Sequence, residues 1–271
     1  MFPPKKILFP VDFSDRCNDA ARMVETFAGH FQSHLTLLNV LEPFTYSDVP
    51  FDATPLTKQQ LSAYLADELK QFDVDRVLLH GDPAIRIIEY AHAEHFDLIM
   101  LPTHGYGRFR RFILGSVTAK VLHDAACPVW TGVHMEQVPR LEDITFRNVV
   151  CAIDLGKQSC AALRWANQFA SEVGAALSIV HAIPAETSAS ARETLVPQIT
   201  QKIEQLQQAY GAGAAIEVIA GDAALAVCDL AQSVKADLLI IGRSVEDGML
   251  GRLKTNAYSI IRQSPCPVVS V

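Results

Sequence analysis

The sequence predicts an α/β protein made of two tandem domains, each a five-stranded parallel sheet with helices on both faces. Two observations predict this class. A repeat runs through the whole chain, and within each half short apolar runs alternate with segments that have helical spacing of apolar residues. Strands of a parallel sheet are buried on both faces and form continuous apolar runs, and the connections between them are usually helices.

The repeat consists of five blocks that occur in the same order in both halves. Asp12, at the end of an apolar run, corresponds to Asp154, at an offset of 154 − 12 = 142 residues. The other matched blocks are 37–40 with 179–182, 81–82 with 221–222, 96–99 with 236–239, and 126–129 with 265–268. Because the offset drifts only from 142 to 139, the pattern indicates a duplication. We predict domains at 1–135 and 147–271, separated by a polar stretch around Pro139.

The first half shows its elements most clearly, and the second half repeats their order. Strands are predicted at 7–11, 35–41, 76–80, 98–101 and 128–133. A helix is expected to begin at Ser14 or Asp15, and a second helix carries an apolar stripe from Leu61 to Phe72. A third helix is expected after Asp82-Pro83, which pairs a good N-cap with proline at the first helical position, and Asp222 is expected to cap the matching helix of the second half. A fourth covers 117–123.

Composition excludes several classes of protein. Apolar residues make up 49% of the 271 residues, yet no apolar run approaches the roughly 18 residues that a membrane span requires. The net charge of −7 argues against a general nucleic-acid binder. The six cysteines form no C-x-x-C pair and no metal spacing, and the N-terminus has no signal-peptide cleavage site. We therefore expect a cytoplasmic protein with reduced thiols, without a membrane or nucleic-acid partner.

Ligands of open α/β sheets bind beyond the carboxyl ends of the strands, and one connection there suits an anion. The long segment 102–116 follows the fourth strand, and its Gly115-Ser116 opens a helix, whose free N–H groups attract negative charge. Three arginines, Arg108, Arg110 and Arg111, add positive charge. Glycines that serve only the turn and arginines that are merely solvated remain the alternative. The segment is not a P-loop, since G-x-x-x-x-G-K-[ST] is absent.

In this segment the sequence resembles the universal stress protein family, whose ATP-binding members carry G-x2-G-x9-G-[ST]. The matching residues are Pro102-x2-Gly105-x9-Gly115-Ser116. Val11-Asp12, Asn39-Val40 and Cys127-Pro128-Val129 also match, and the resemblance covers both halves. It implies flavodoxin-like domains, a cytoplasmic stress-response protein, and an intramolecular pseudo-dimer of the two halves, with a homodimer left open.

The resemblance also implies a binding site for ATP, with or without magnesium, in the first domain. Asp12 is expected near the ribose, the Val40 backbone at the adenine, and the segment with Gly115-Ser116 at the phosphates. The full set of implied nucleotide-binding residues is Asp12, Val40, Thr103, His104, Gly105, Arg108, Gly115, Ser116 and Val117.

Two departures from the family pattern matter. Pro102 stands where the family has its first glycine, and proline has no N–H and a fixed φ. In the second half Gly242 is present, but Val245 replaces the next glycine, and Glu246 and Asp247 are negatively charged. We predict a weakened or absent site in that half, where Asp154 is interpreted as a helix cap.

Three functions follow from these patterns. The leading hypothesis is a regulatory protein that binds an adenine nucleotide and responds to stress, with at most slow ATP hydrolysis. Pro102 and the altered second segment support an alternative, a stress-related interaction scaffold that binds no nucleotide. An ATP-dependent transferase would need a second site with titratable groups, and the sequence shows no such arrangement.

Overall fold

The computed structural model describes residues 2–42, 52–103, 114–132, 144–210, 213–243 and 255–271. The chain divides into two compact units, Pro3–Ile144 and Thr145–Val271. Each unit is an α/β domain with five parallel strands and its own core.

The first unit is a doubly wound parallel sheet. Its elements are β1 (Lys6–Pro10), α1 (Asp15–Phe31), β2 (His34–Leu41), α2 (Thr54–Ala63), β3 (Val74–His80), α3 (Pro83–Ala93), β4 (Leu98–Pro102), α4 (Ser116–Asp124) and β5 (Val129–Gly132). The strand order is β3-β2-β1-β4-β5, and every neighbouring pair is parallel. Because crossovers are right-handed, the connections that run toward β3 and those that run toward β5 place their helices on opposite faces.

The second unit has the same plan. Its elements are β6 (Asn148–Ala152), α5 (Ser159–Val173), β7 (Ala176–Ile183), α6 (Ala189–Gln208), β8 (Ala215–Ala220), α7 (Ala223–Ser233), β9 (Leu238–Ile241), α8 (Thr255–Gln263) and β10 (Val268–Ser270). Its strands are parallel in the order β8-β7-β6-β9-β10, which matches the first unit element by element. The predicted fold class, two tandem five-stranded parallel α/β domains, is confirmed.

Buried central strands explain the continuous apolar runs. Ile7, Leu8 and Phe9 are consecutive in β1 and all fully buried, as expected for a strand covered on both faces. Val149 and Val150 in β6 are buried in the same way. Within the described residues no helix is both long and apolar enough to cross a bilayer.

An aspartate at the same position in each unit fixes the start of that unit's first strand. Asp97 Oδ2 accepts the N–H groups of Lys5 and Lys6, each at 3.0 Å, and so fixes the start of β1. Asp237 Oδ2 accepts the N–H groups of Arg147 and Asn148, at 2.7 and 2.9 Å, at the start of β6. These bonds give a physical reason for the aspartate in the fourth matched block.

The predicted helix caps at Asp82 and Asp222 are present. Asp82 Oδ1 accepts the N–H of Ile85 at 2.8 Å at the start of α3. Asp222 Oδ1 accepts the N–H groups of Ala224 and Leu225, each at 3.0 Å, at the start of α7. Capping thus accounts for both aspartates, as the sequence predicts.

The second predicted helix ends earlier than expected. Its apolar stripe was expected to continue to Phe72, but α2 ends at Ala63, where Tyr64 is extended and Leu65 has φ of 52°. The chain continues in turns that still bury Leu65 and Leu69. A helix and a series of turns would both place these leucines in the core. Their spacing alone therefore does not distinguish a helix from turns.

The left-handed backbone positions also repeat between the units. The matched pairs, with φ in degrees, are Phe13 (62) with Leu155 (59), Gln32 (51) with Gly174 (71), and His95 (54) with Lys235 (51). Non-glycine residues adopt this conformation at a cost, and they keep it only where surrounding contacts require it. The duplication therefore preserves individual backbone turns as well as helices and strands.

Candidate functional site

The carboxyl ends of β1, β2 and β4 meet at one edge of the first sheet. β1 pairs with β2 on one side and with β4 on the other, and the connections after β1 and β4 run in opposite directions. Such a reversal of strand order opens a crevice at the carboxyl edge. A cavity of about 410 Å³ lies there, within the range of small-molecule sites.

Asp12 follows β1 and lines the cavity with an exposed side chain. Its Oδ1 accepts the N–H of Ser14 at 3.0 Å and the thiol of Cys17 at 3.1 Å. Phe13 lies inside this turn in the left-handed conformation, which the Asp12–Ser14 bond supports. Among the described residues, Oδ2 of Asp12 has no hydrogen-bond partner, so it is the oxygen available to a ligand.

Cys17 lies in the first turn of α1, at the wall of the cavity, and is only 2% exposed. Burial, and after it the negative charge of Asp12, raises the pKa of the Cys17 thiol to about 12. At neutral pH this thiol therefore keeps its proton and acts as a hydrogen-bond donor rather than a nucleophile.

The end of β2 lies beside Asp12. The amide Nδ2 of Asn39 donates to the carbonyl of Val11 at 2.8 Å, which ties the ends of β1 and β2 together. The next residue, Val40, lines the cavity, as does Glu42, whose side chain is exposed. Main-chain groups at the end of β2 are thus placed beside a cavity that also contains two carboxylates.

The N-terminus of α4 forms the opposite side of the cavity, with Gly115 as its N-cap. The N–H of Gly115 donates to the carbonyl of Thr103 at 2.9 Å, and no side chain caps the helix among the described residues. The N–H groups of Ser116, Val117 and Thr118 have no partners within the helix, because they belong to its first turn. Unpaired N–H groups and the helix dipole favour an anion at this point.

Apolar residues complete the walls. They come from the end of β2, the start of α3 and the end of β4, and they are Leu38, Pro83, Ile87, Leu101 and Pro102. A flat ring could contact these surfaces, while its polar edge met main-chain groups. The cavity therefore combines an apolar wall, a carboxylate and a helix N-terminus, where negative charge is favoured.

Comparison with known proteins gives the family of the chain. The family model of the universal stress protein family matches residues 3–131 and again 145–271. The chain belongs to the universal stress protein family.

Individual relatives cover one domain or both. A universal stress protein of Thermus aquaticus is 32% identical over 131 residues, which is 46% of this chain and 96% of the relative. A universal stress protein of Methanocaldococcus jannaschii is 29% identical over 135 residues, 46% of this chain and 79% of the relative. The crystal structure of a universal stress protein from Archaeoglobus fulgidus has a TM-score of 0.79 at 21% identity and covers 99% of this chain and 98% of its own. That structure supports the tandem fold.

Most of the universal stress protein site predicted from the sequence converges on the cavity. Five of the predicted residues line it: Asp12, Val40, Gly115, Ser116 and Val117. Thr103 does not line it, since its N–H and its Oγ1 both contact the carbonyl of Gly132, at 3.3 and 3.0 Å. His104, Gly105 and Arg108 lie outside the described residues.

Pro102, where the universal stress protein pattern has glycine, takes part in the wall. It is the last residue of β4, and its carbonyl accepts the hydroxyl of Thr118 at 3.0 Å. This bond ties the end of β4 to the first turn of α4. Pro102 therefore has no N–H for a ligand, but its carbonyl helps to hold the helix N-terminus in place.

Sequence reasoning missed Cys17, Glu42, Pro83 and Ile87 as cavity residues. Cys17 could have been found, because it comes five residues after Asp12, as Ser159 does after Asp154. Pro83 and Ile87 reach the cavity only because α3 returns across this edge of the sheet, which depends on strand order.

The second universal stress protein domain retains the strand-end turn. Asp154 Oδ1 accepts the N–H of Gly156 at 2.8 Å and the hydroxyl of Ser159 at 3.2 Å. His181 Nδ1 contacts the carbonyl of Ile153 at 2.9 Å, in the place of the Asn39–Val11 bond. Asp154 thus holds the turn before α5 rather than acting as its N-cap, which is Gln158. Residues 244–254, the altered segment, lie outside the described residues.

Proposed function

We propose that the first domain binds an adenine nucleotide, with ATP as the candidate ligand, and that the protein acts as a cytoplasmic stress-response regulator. The observation that carries the proposal is one cavity that joins Asp12, the end of β2 and the free N-terminus of α4. These are the chemical partners that a ribose, a purine edge and a phosphate group require.

Each group of the nucleotide has a complementary surface. Asp12 Oδ2 can accept hydrogen bonds from ribose hydroxyls, and the main chain at Val40 can pair with the polar edge of adenine. The apolar wall, including Ile87 and Leu101, can cover the faces of the base. The first turn of α4 offers N–H groups to a phosphate.

The charge distribution explains why α4 is central. Among the described residues that line the cavity, Asp12 and Glu42 are acidic, and there is no lysine or arginine. In this part of the chain the α4 N-terminus therefore supplies the attraction for phosphate. Arg108 and the bound magnesium that the family resemblance allows stay predictions.

A direct test is to isolate the protein, denature it and examine the supernatant by HPLC, and to titrate ATP, ADP and AMP by calorimetry. Retained adenine nucleotide or a saturable heat of binding is expected. If no nucleotide is retained and no titration gives heat or a thermal shift, the proposal is wrong.

Gly115→Asp, with Gly115→Asn as its control, tests whether α4 holds the phosphate. Gly115 has φ of −61° and ψ of 147°, which a non-glycine N-cap adopts readily, and both aspartate and asparagine are good caps. The two replacements have almost the same size, so only the charge differs. The aspartate should weaken ATP binding at least about tenfold relative to asparagine, because like charges repel within a few ångströms. Equal affinities of the two variants would place the phosphate elsewhere.

A stress-related scaffold without a nucleotide is the second candidate, favoured by Pro102, which removes a backbone donor from the cavity wall. It predicts that Gly115→Asp leaves the stress phenotype of the cell unchanged. The pairing of the two halves and a homodimer likewise stay predictions. The mass of the protein in solution tests the homodimer.

A further inference from the structure

One oxygen of the Asp12 carboxylate is engaged in hydrogen bonds, and the other has no partner among the described residues. The N–H of Ser14 and the thiol of Cys17 both reach Oδ1, at 3.0 and 3.1 Å. The first donor is part of the backbone and would be present with any residue at position 14 except proline. The second depends on the side chain at position 17.

Burial and its place in the first turn of α1 restrict the thiol of Cys17. It lies in the first turn of α1, is 2% exposed, and still borders the cavity. Its raised pKa, caused first by burial and then by Asp12, keeps it protonated, so the contact is an S–H donor facing a carboxylate oxygen. The carboxylate cannot turn Oδ1 toward the ligand without breaking both bonds.

We infer that Cys17 is a positioning residue for ligand binding: its thiol fixes the rotation of the Asp12 carboxylate so that Oδ2 faces the sugar of a bound nucleotide. This inference rests on the proposed function. It assigns a role to a buried thiol that neither the predicted site nor the family pattern includes.

The second domain contains the same arrangement with a different donor. Ser159 occupies the position of Cys17, and its hydroxyl reaches Asp154 Oδ1 at 3.2 Å, while Gly156 supplies the backbone N–H at 2.8 Å. The chain itself therefore shows that a hydroxyl fits where the thiol lies. Cys17→Ser is the conservative replacement that should preserve positioning, and Cys17→Ala is the replacement that should abolish it.

The experiment compares ribonucleotide and dideoxynucleotide binding in four proteins. ATP and 2′,3′-dideoxy-ATP are titrated into wild type, Cys17→Ala, Cys17→Ser and Cys228→Ala. Cys228 is a buried thiol of the second domain that contacts the carbonyl of Ile260 at 3.8 Å, so its replacement controls for the loss of a buried sulfur. Thermal unfolding of each variant reports whether it is folded.

The expected result is specific to the sugar. Cys17→Ala should weaken ATP binding about fivefold, the effect of one hydrogen bond, and should leave dideoxy-ATP binding unchanged. Cys17→Ser should bind ATP with the wild-type affinity, and Cys228→Ala should bind both ligands as wild type does. A merely structural role for Cys17 would weaken the binding of both nucleotides by the same factor, and that result would overturn the inference.

Two further outcomes also decide the question. If wild type binds ATP and Cys17→Ala binds it equally well, the inference fails while the proposed function stands. If wild type binds neither nucleotide, the proposed function fails, and the inference fails with it. Should Cys17→Ala not fold, Cys17→Val keeps the volume without a donor and takes its place in the same comparison.

Discussion

The ends of β1 and β6 have the same turn built from different residues. Asp12 and Asp154 each use Oδ1 to bind an N–H two residues on and a side-chain donor five residues on. Each is followed by a residue in the left-handed conformation, Phe13 with φ of 62° and Leu155 with φ of 59°.

This comparison separates what the aspartate does for the fold from what it does for a ligand. Because the second domain keeps the turn although residues 244–254 have lost the glycine pattern, the turn is first a structural element. An aspartate after the first strand is therefore insufficient evidence for a nucleotide site. In the first domain the additional evidence is the Gly115 N-cap and the first turn of α4 beside the same cavity, where none of the described side chains caps the helix.

The largest expected effect tests whether the two cores are equivalent. Leu37 in β2 and Ile179 in β7 occupy matched positions, and both are fully buried. Leu37→Ala and Ile179→Ala should each lower the free energy of unfolding of their own domain by about 3 kcal/mol, through lost burial and the cavity left behind. Denaturant unfolding and scanning calorimetry each measure the free energy of unfolding of the two variants. A large loss from one variant and a negligible loss from the other would show that the halves differ in their cores.

A smaller effect should show whether the two domains differ in ATP binding. Asp12→Ala and Asp154→Ala each remove the acceptor of two hydrogen bonds, so each should cost about 1 kcal/mol of stability. ATP binding should fall at least about tenfold for Asp12→Ala, because a bond to a charged group is lost, and should not change for Asp154→Ala. Calorimetric titration checks this. Equal weakening by both variants would mean that the second domain also binds nucleotide.

The smallest effect concerns a helix end. α1 ends at Gln32 with φ of 51°, whereas α5 ends at Gly174 with φ of 71°. Glycine adopts this conformation without strain, so Gln32→Gly should stabilise the first domain by about 0.5–1 kcal/mol. Gly174→Ala should destabilise the second domain by about 1 kcal/mol, and the effect would be that of the backbone alone, since a Cβ there meets nothing within 4 Å.

Thermal unfolding of these two variants, measured beside the wild type, gives the sign of each change. If Gln32→Gly lowers the unfolding temperature, contacts of the glutamine side chain outweigh the strain of its backbone, and the two helix ends are not comparable.

Local patterns were sufficient for most of the fold. Strand positions and the Asp82 and Asp222 caps depend on neighbouring residues, whereas the duplication follows from a repeat at a nearly constant offset. These predictions are confirmed. The predicted end of α2 was wrong. Leu65 and Leu69 lie in turns, but they are buried and have the spacing of apolar residues in a helix.

The sequence predicted the part of the candidate site that lies at strand ends and at the start of α4. Asp12, Val40 and Gly115 could be placed together, because the carboxyl ends of parallel strands share one edge. Cys17 could not be assigned from composition, since its role depends on a 3.1 Å contact with Asp12. Ile87 lies at the same cavity because the strands have the order β3-β2-β1-β4-β5. Pairing between residues far apart in the sequence sets this order.

The hydrogen bond from Gly115 N–H to the carbonyl of Thr103, 2.9 Å long, has a consequence for the connection between β4 and α4. Thr103 is itself anchored to the carbonyl of Gly132 through Oγ1, at 3.0 Å. Together these bonds close the base of the segment between β4 and α4, so insertions, deletions and exchanges between residues 103 and 115 need not strain the sheet. Substitutions within the connection are therefore expected to leave the stability of the sheet unchanged, whatever they do to ligand binding.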